Sequence, residues 1–275
     1  MKSPPPTYLP PLFPMIRFPL STQRRTRRRR LLVQSPPSFI WYSNSAHIEY
    51  FMGYRRTPFA LHEWYHCYNR GVEKRVTFEY GHDFQRFEQL LFLANDTKPV
   101  DRNQFSKATH EQVLCRSRSS PIVAIGAYCL MPNHFHLLLR EVTEGGISKF
   151  MHKIGTGYTM YFNVKNNRIG NLFVKPFRSK HIDNDSYLRR VAQYIHLNAT
   201  ELYEPGWKHA KVKNIKCLKS QIINYTHSSL PDYHHGIRRT AYAILDPEAF
   251  QTISAGLPSL QNTLKDAQAY YALIK

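Results

Sequence analysis

Two histidines separated by a single residue, His134 and His136, follow the turn-forming pair Pro132-Asn133. Side chains alternate between the faces of a β-strand, so these two imidazoles share one face while Phe135 lies on the other. Neighbouring imidazoles on a rigid strand can bind a divalent metal ion. Surface strands also carry such pairs without any function, so the pair alone leaves both interpretations open.

A tyrosine and an asparagine four residues apart, Tyr194 and Asn198, lie in a segment with helical hydrophobic spacing. They share one helix face, which borders the predicted apolar stripe. A tyrosine hydroxyl has a pKa of about 10, so it is a useful nucleophile at neutral pH only where a metal ion polarises the group it attacks. Two imidazoles, the Asn198 carbonyl oxygen and a phosphate would suit Mg²⁺ or Mn²⁺. Alternatively, the tyrosine packs and the asparagine ends the helix.

The charge of the chain favours a polyanionic partner. Lys and Arg number 38 and Asp and Glu 19, which gives 38 − 19 = +19. Nucleic acid is the first candidate and an anionic membrane the rival, but no stretch approaches the ~20 apolar residues of a transmembrane helix. The four cysteines form no Cys-x-x-Cys pair and are typical of reduced intracellular thiols.

The elements that position these residues are predicted to alternate as β-α-β-β-α-β-α. Predicted strands span residues 63–71, 121–130, 134–142 and 171–182, and helices begin near Asp83, Gly145 and Asp185. Residues 96–119 read as a loop, and further helices are predicted from Asp246 and over residues 260–274. This order predicts an α+β fold, an antiparallel sheet with helices packed on one face.

Basic residues accompany two of the predicted strands. Arg70 ends the first strand, and Lys175, Arg178 and Lys180 lie along the fourth. We expect these four residues to contact DNA phosphates, although a basic strand is also compatible with a plain solvated face.

Residues 1–51 hold nine of the 18 prolines and an arginine-rich run from Arg24 to Arg30. This proline density opposes regular structure, so we expect a disordered extension. It is either a nucleic-acid-binding arm or an over-extended start that precedes an initiator at Met52.

Residues 54–207 resemble the REP-associated tyrosine transposases of the single-tyrosine HUH superfamily. Four motifs carry the resemblance in the right order, and the Met-Pro-Asn-His-x-His element is the most specific: YHCYNRG at 65–71, YCLMPNHFH at 128–136, YTMYFN at 158–163 and YIHLN at 194–198. Two departures are an alanine after Asn198, where the family often has proline, and the N-terminal extension.

The resemblance implies a ferredoxin-like catalytic domain, which we place at residues 52–207. From the predicted C-terminal helices we expect residues 208–275 to form a partly helical accessory segment. It implies that His134, His136 and Asn198 hold a divalent metal and that Tyr194 is the nucleophile. The implied reaction is cleavage and rejoining of single-stranded DNA at palindromic hairpins through a 5′-phosphotyrosine link. We expect no small-molecule cofactor and no membrane partner, a monomer or homodimer, and a cytoplasmic, nucleoid-associated location in a prokaryote.

Two other functions remain open at this point. An inactive or domesticated protein could bind DNA hairpins without cutting them. A metal-dependent RNA- or nucleotide-processing hydrolase could use a similar two-histidine strand without forming a covalent adduct.

Overall fold

Four antiparallel strands form the sheet that carries the histidine pair. They are β1 (Trp64–Arg70), β2 (Val123–Met131), β3 (His134–Glu141) and β4 (Arg178–Ile182), in the order β2-β3-β1-β4. The structure, a computed structural model, describes residues 58–101, 108–208, 212–234 and 238–273. The predicted extension at 1–51 lies outside these residues.

Nine helices are described in these parts of the chain, together with short 3₁₀ turns at Val72–Lys74 and Thr240–Ile244. The helices are α1 (Gly81–Leu93), α2 (His110–Leu114), α3 (Gly146–Lys165), α4 (Asp185–Leu197), α5 (Thr200–Tyr203), α6 (Ile215–Ile223), α7 (Leu230–His234), α8 (Pro247–Ser254) and α9 (Leu260–Leu273). Strands β1 and β2 flank β3, and β3 and β4 flank β1, so two split βαβ units interleave. The predicted α+β class and antiparallel ferredoxin-like sheet are confirmed.

Helices cover both faces of the sheet, whereas the sequence predicted helices on one face. Helices α1 and α3 pack over Tyr65, Phe135 and Leu137, on what we call the α1/α3 face. Helix α4 packs over Cys129 and Leu138 on the opposite α4 face. The reason lies in β2, which is buried at every position, because a strand with apolar residues on both sides needs cover on both sides.

The C-terminal helices complete the core of the α4 face. Leu218 of α6, Ile253 of α8 and Leu264 of α9 share one buried cluster with Ile195 of α4. The Oγ of Ser229 lies 2.8 Å from Nε2 of His196 in α4 and accepts a hydrogen bond from the Tyr128 backbone N–H. Helix α4 is therefore held between the sheet and this segment. No described helix is long and apolar enough to cross a membrane.

Two predicted elements have different bounds in the structure. Strand β4 begins at Arg178, so Lys175 precedes it, because Pro176 has no backbone N–H for the ladder. The predicted loop at 96–119 contains α2, whose N-terminus is capped by the side chain of Thr109.

Asp83 ties α1 to α3 through a buried carboxylate. It is the third residue of α1, and it accepts hydrogen bonds from the backbone N–H groups of Glu79 and Tyr80. The Tyr161 hydroxyl and Lys165 ammonium of α3 each approach it to 2.7 Å. Burial alone would raise the pKa of Asp83, but these partners outweigh it and lower the pKa below the usual 3.8.

We predict that Asp83→Asn lowers the free energy of unfolding by about 2–4 kcal/mol at pH 7, because Lys165 loses its buried partner. The folded pKa lies below the unfolded value, so the carboxylate stabilises the fold above the unfolded pKa and loses this contribution as pH falls through the folded pKa. The difference between parent and variant should therefore narrow below a pH of about 4. Urea unfolding followed by circular dichroism measures both effects.

Asp185→Asn is the matched control, since Asp185 is exposed at the start of α4 and pairs with Arg189 only at 3.9 Å. It should cost no more than about 0.5 kcal/mol. An Asp83→Asn variant as stable as the parent at pH 7 would contradict this account of the α1–α3 contact.

Candidate catalytic site on the α4 face

The register between β1 and β3 places the histidine pair beside two residues of β1. Tyr68 pairs with His136 and Arg70 with His134, so all four side chains lie on the α4 face. The ring centroids of His134 and His136 are 5.1 Å apart, with an angle of 87° between the planes. The predicted common face of the two histidines is thus present.

Helix α4 brings Tyr194 to this pair. The helix begins after Asn184, whose side chain accepts a hydrogen bond from the Tyr187 backbone N–H, and its apolar stripe packs on the sheet. Tyr194 is half-buried at the border of that stripe. Its ring stands edge-on to His136, with centroids 6.4 Å apart, and edge-on to His66 at 6.2 Å.

Asn198 is the C-cap residue of α4 and is buried. Its side-chain N–H₂ donates to the backbone carbonyls of Tyr194 and Ile195, at 3.1 Å each. The amide nitrogen is thus committed to the helix end, and the amide oxygen is the atom that a cation would use.

Hydrogen bonding orients His134. Its Nδ1 lies 2.6 Å from Oδ1 of Asn133, and the amide nitrogen of Asn133 donates to the Lys74 carbonyl. The Asn133 oxygen can only accept, so His134 carries its proton on Nδ1 and leaves the Nε2 lone pair for a ligand.

His136 meets a third imidazole, that of His66 in β1. Nδ1 of His136 and Nε2 of His66 are 2.8 Å apart. Burial lowers the pKa of His66 to about 3, with a further contribution from Lys180. Burial also lowers the pKa of His134 to about 4 and that of His136 well below its usual value. All three rings are therefore neutral at pH 7, as metal ligation requires.

Sequence reasoning missed His66 and Tyr68 as site residues. Tyr68 lies against both rings, with centroids 5.1 Å from His66 and 5.5 Å from His136. Alternation along β1 places His66, Tyr68 and Arg70 on one face, which was the available signal. Alternation shows which residues of β1 share a face of the sheet, but it does not show that β3 is the strand beside them.

The donor set fits a weakly bound divalent cation. Nε2 of His134 and a ring nitrogen of His136 would suit Mn²⁺ or Mg²⁺ when oxygen ligands complete the set. Within the described ranges, no group of three or more His, Cys, Asp or Glu side chains could hold a metal ion. Oxygen ligands would therefore have to come from the Asn198 amide, the substrate and water.

Three of the four predicted phosphate-binding residues lie on the α4 face. Arg70 pairs with His134, Arg178 with Tyr68, and Lys180 with His66. Arg70 and Arg178 are exposed, and the Lys180 ammonium lies 5.3 Å from the ring centroid of Tyr187 in α4. Lys175 is exposed just before β4.

Comparison with known proteins gave a match to a family model and a match to a solved structure. The family model described as "Transposase IS200 like" matches residues 89–198, the segment that contains His134, His136, Tyr194 and Asn198. Residues 89–198 are thus similar to the IS200-like transposases. The chain is also similar to the solved structure of a REP-associated tyrosine transposase bound to a REP hairpin, at 17% identity and a TM-score of 0.43, over 72% of this chain and 96% of that chain. No curated protein matches the chain.

We predict that Arg178→Gln combined with Lys180→Gln weakens binding to single-stranded DNA of all sequences alike. If each residue contacts one phosphate, the slope of log K against log salt concentration should flatten by about 1.4 in total. Fluorescence anisotropy at several salt concentrations measures this slope.

The matched control is Lys98→Gln combined with Lys149→Gln, which removes the same charge from two exposed residues. Lys149 lies in the first turn of α3, on the opposite side of the sheet. The control should keep the parental slope. If the double variant of Arg178 and Lys180 also kept that slope, this part of the α4 face would not lie on the DNA path.

Proposed function

We propose that the protein is a transposase or nickase that cleaves and rejoins single-stranded DNA with Tyr194 as nucleophile. The observation that carries this proposal is the edge-on packing of Tyr194 against His136 and His66, two residues of the segment 89–198 or its partner strand; that segment matches the IS200-like family model. It joins a nucleophile, a pair of neutral imidazoles and cationic side chains on one face of the sheet.

The reaction consists of two transesterifications. The Tyr194 oxygen attacks the phosphorus of a phosphodiester, a bond forms to the phosphorus, and the bond to the 3′ oxygen breaks. The phenol loses one proton and the leaving 3′ oxygen gains one, so the step is balanced. The product is a 5′-phosphotyrosine ester, and attack by a 3′ hydroxyl on that ester rejoins DNA and releases the tyrosine without ATP.

His134, His136 and Asn198 would hold a divalent cation, Mg²⁺ or Mn²⁺. When bound, this cation would polarise the phosphodiester and stabilise the negative charge that develops on its oxygens. The chain itself positions the Tyr194 ring through α4 and keeps both imidazoles neutral through burial.

We further propose that the substrate contains palindromic hairpins, as in the REP-associated tyrosine transposases. The Met-Pro-Asn-His-x-His motif and the order of the other three motifs support this substrate. Arg70, Lys175, Arg178 and Lys180 would contact its phosphates. The protein would act as a monomer or homodimer on chromosomal DNA in the cytoplasm of a prokaryote.

We predict that Tyr194→Phe abolishes covalent attachment to DNA while hairpin binding stays within a few-fold of the parent. The substitution removes only a hydroxyl group from a half-buried ring, so the fold should persist. The probe is a single-stranded hairpin from palindromic repeats that flank the gene. A label at its 3′ end marks the strand that a 5′-phosphotyrosine would retain, and denaturing electrophoresis detects the adduct.

Tyr187→Phe is the control on the same helix and should still form the adduct. Tyr158 and Tyr161 donate their hydroxyls to Thr77 and Asp83, which are structural contacts. An adduct that survives in Tyr194→Phe and disappears in Tyr161→Phe or Tyr158→Phe would show that Tyr194 is the wrong nucleophile. A parent protein that binds hairpins and never forms an adduct would indicate an inactive hairpin binder.

We predict that His134→Ala and His136→Ala each abolish cleavage, because each removes a ligand from a weak site. EDTA should do the same to the unmodified protein, and Mg²⁺ or Mn²⁺ should restore it. His181→Ala is the control, since His181 is half-exposed on the opposite face, where it pairs with Glu63. Full cleavage in excess EDTA would refute the metal-dependent mechanism.

A further inference from the structure

We propose that His66 is a positioning residue that accepts a hydrogen bond from Nδ1–H of His136 and thereby presents Nε2 of His136 to the metal. This inference rests on the proposed function, since it assigns a role within the same metal site. His66 itself would not touch the ion.

The contact arises from the register of the sheet. Tyr68 pairs with His136 and His66 pairs with Leu138, so His66 and His136 are diagonal neighbours on the α4 face. Diagonal neighbours lie within reach of aromatic side chains. Their nitrogens are 2.8 Å apart, which is a hydrogen-bond distance, and the ring planes differ by 28°.

Two arrangements of the shared proton are possible, and they differ in function. If Nε2–H of His66 donates to Nδ1 of His136, then neutral His136 carries its own proton on Nε2 and cannot bind a metal through that atom. If Nδ1–H of His136 donates to His66, the Nε2 lone pair of His136 is available. A metal ligand needs the second arrangement, which makes His66 the acceptor.

His134 has the same kind of arrangement, in which Nδ1–H donates to a neighbouring acceptor, but the acceptor is a different residue. The Asn133 oxygen accepts from Nδ1–H of His134 and leaves Nε2 available. Histidine ligands in proteins generally donate their other ring N–H to an acceptor that sets the tautomer and the ring orientation. The two histidines would thus have one acceptor each, Asn133 in the turn and His66 in the adjacent strand.

The surroundings hold His66 in place for this role. Its ring contacts Tyr68, with centroids 5.1 Å apart, and forms a T-shaped pair with Tyr194, with centroids 6.2 Å apart. Because Tyr194 also contacts the ring of His136, loss of the acceptor would leave the ring of His136 packed but without a defined tautomer.

The first measurement is Mn²⁺ binding to the full chain without DNA. The electron paramagnetic resonance signal of free Mn²⁺ reports how much of the ion remains unbound. His66→Phe keeps an aromatic ring and removes the acceptor, so we expect affinity to fall by about 10- to 100-fold. His66→Gln supplies a carbonyl oxygen as acceptor and should stay within a few-fold of the parent. His181→Phe is the matched control and should bind as the parent does.

The second measurement reads the proton directly. A long-range ¹H–¹⁵N correlation NMR spectrum of metal-free protein with ¹⁵N-labelled histidine distinguishes the two neutral tautomers. The signals that disappear in His136→Ala belong to the ring of His136. We expect His136 to carry its proton on Nδ1 in the parent and in His66→Gln, and to shift toward a mixture in His66→Phe. Thermal unfolding of each variant confirms that the fold persists.

The outcomes separate this inference from the proposed function. Parental Mn²⁺ affinity in His66→Phe, or a proton on Nε2 of His136 in the parent, overturns the role of His66 and leaves Tyr194 chemistry untouched. Mn²⁺ binding that is insensitive to both His134→Ala and His136→Ala overturns the metal site itself. Weak binding in His66→Phe that His66→Gln restores, with His136 protonated on Nδ1, supports the inference.

Discussion

The site depends on the antiparallel pairing of β1 with β3, which joins segments about 70 positions apart in the chain. This register places Tyr68 opposite His136 and brings His66 within hydrogen-bond distance of the same ring. A shift of one residue would move the side chains of β1 to the opposite face. The interactions of the histidine pair are therefore set by backbone pairing before any ligand contributes.

The position of the tyrosine depends on a second constraint, the burial of β2 on both faces. Because β2 needs cover on its α4 face, helix α4 packs there and the C-terminal helices close over it. The buried side of α4 then fixes its rotation, and Tyr194 at the border of that side faces the imidazoles. The C-terminal segment thus stabilises the position of Tyr194 from the far side of α4.

Local patterns were sufficient to predict which candidate residues share a face, but not all the neighbours of those residues. The alternation of β3 and the i, i+4 spacing of Tyr194 and Asn198 each lie within one element, and the structure keeps both patterns. The contact of His66 depends on which strand lies beside which, and a single sequence does not encode that register locally. The same limit explains why helices were predicted on one face only, because the apolar sequence of β2 indicates burial but not which elements cover the strand. The start of β4 has a local cause, since Pro176 lacks a backbone N–H and Lys175 therefore precedes the strand.

The candidate site combines neutral imidazoles with positively charged side chains nearby. Burial keeps the imidazoles uncharged, and the nearby cations Arg70, Lys180 and Lys208 oppose their protonation. Those cations can attract a phosphate backbone to the face where Tyr194 stands. Since the imidazoles bring no charge of their own, a divalent ion held there would keep nearly its full positive charge for the phosphodiester, which is where a phenol nucleophile needs it.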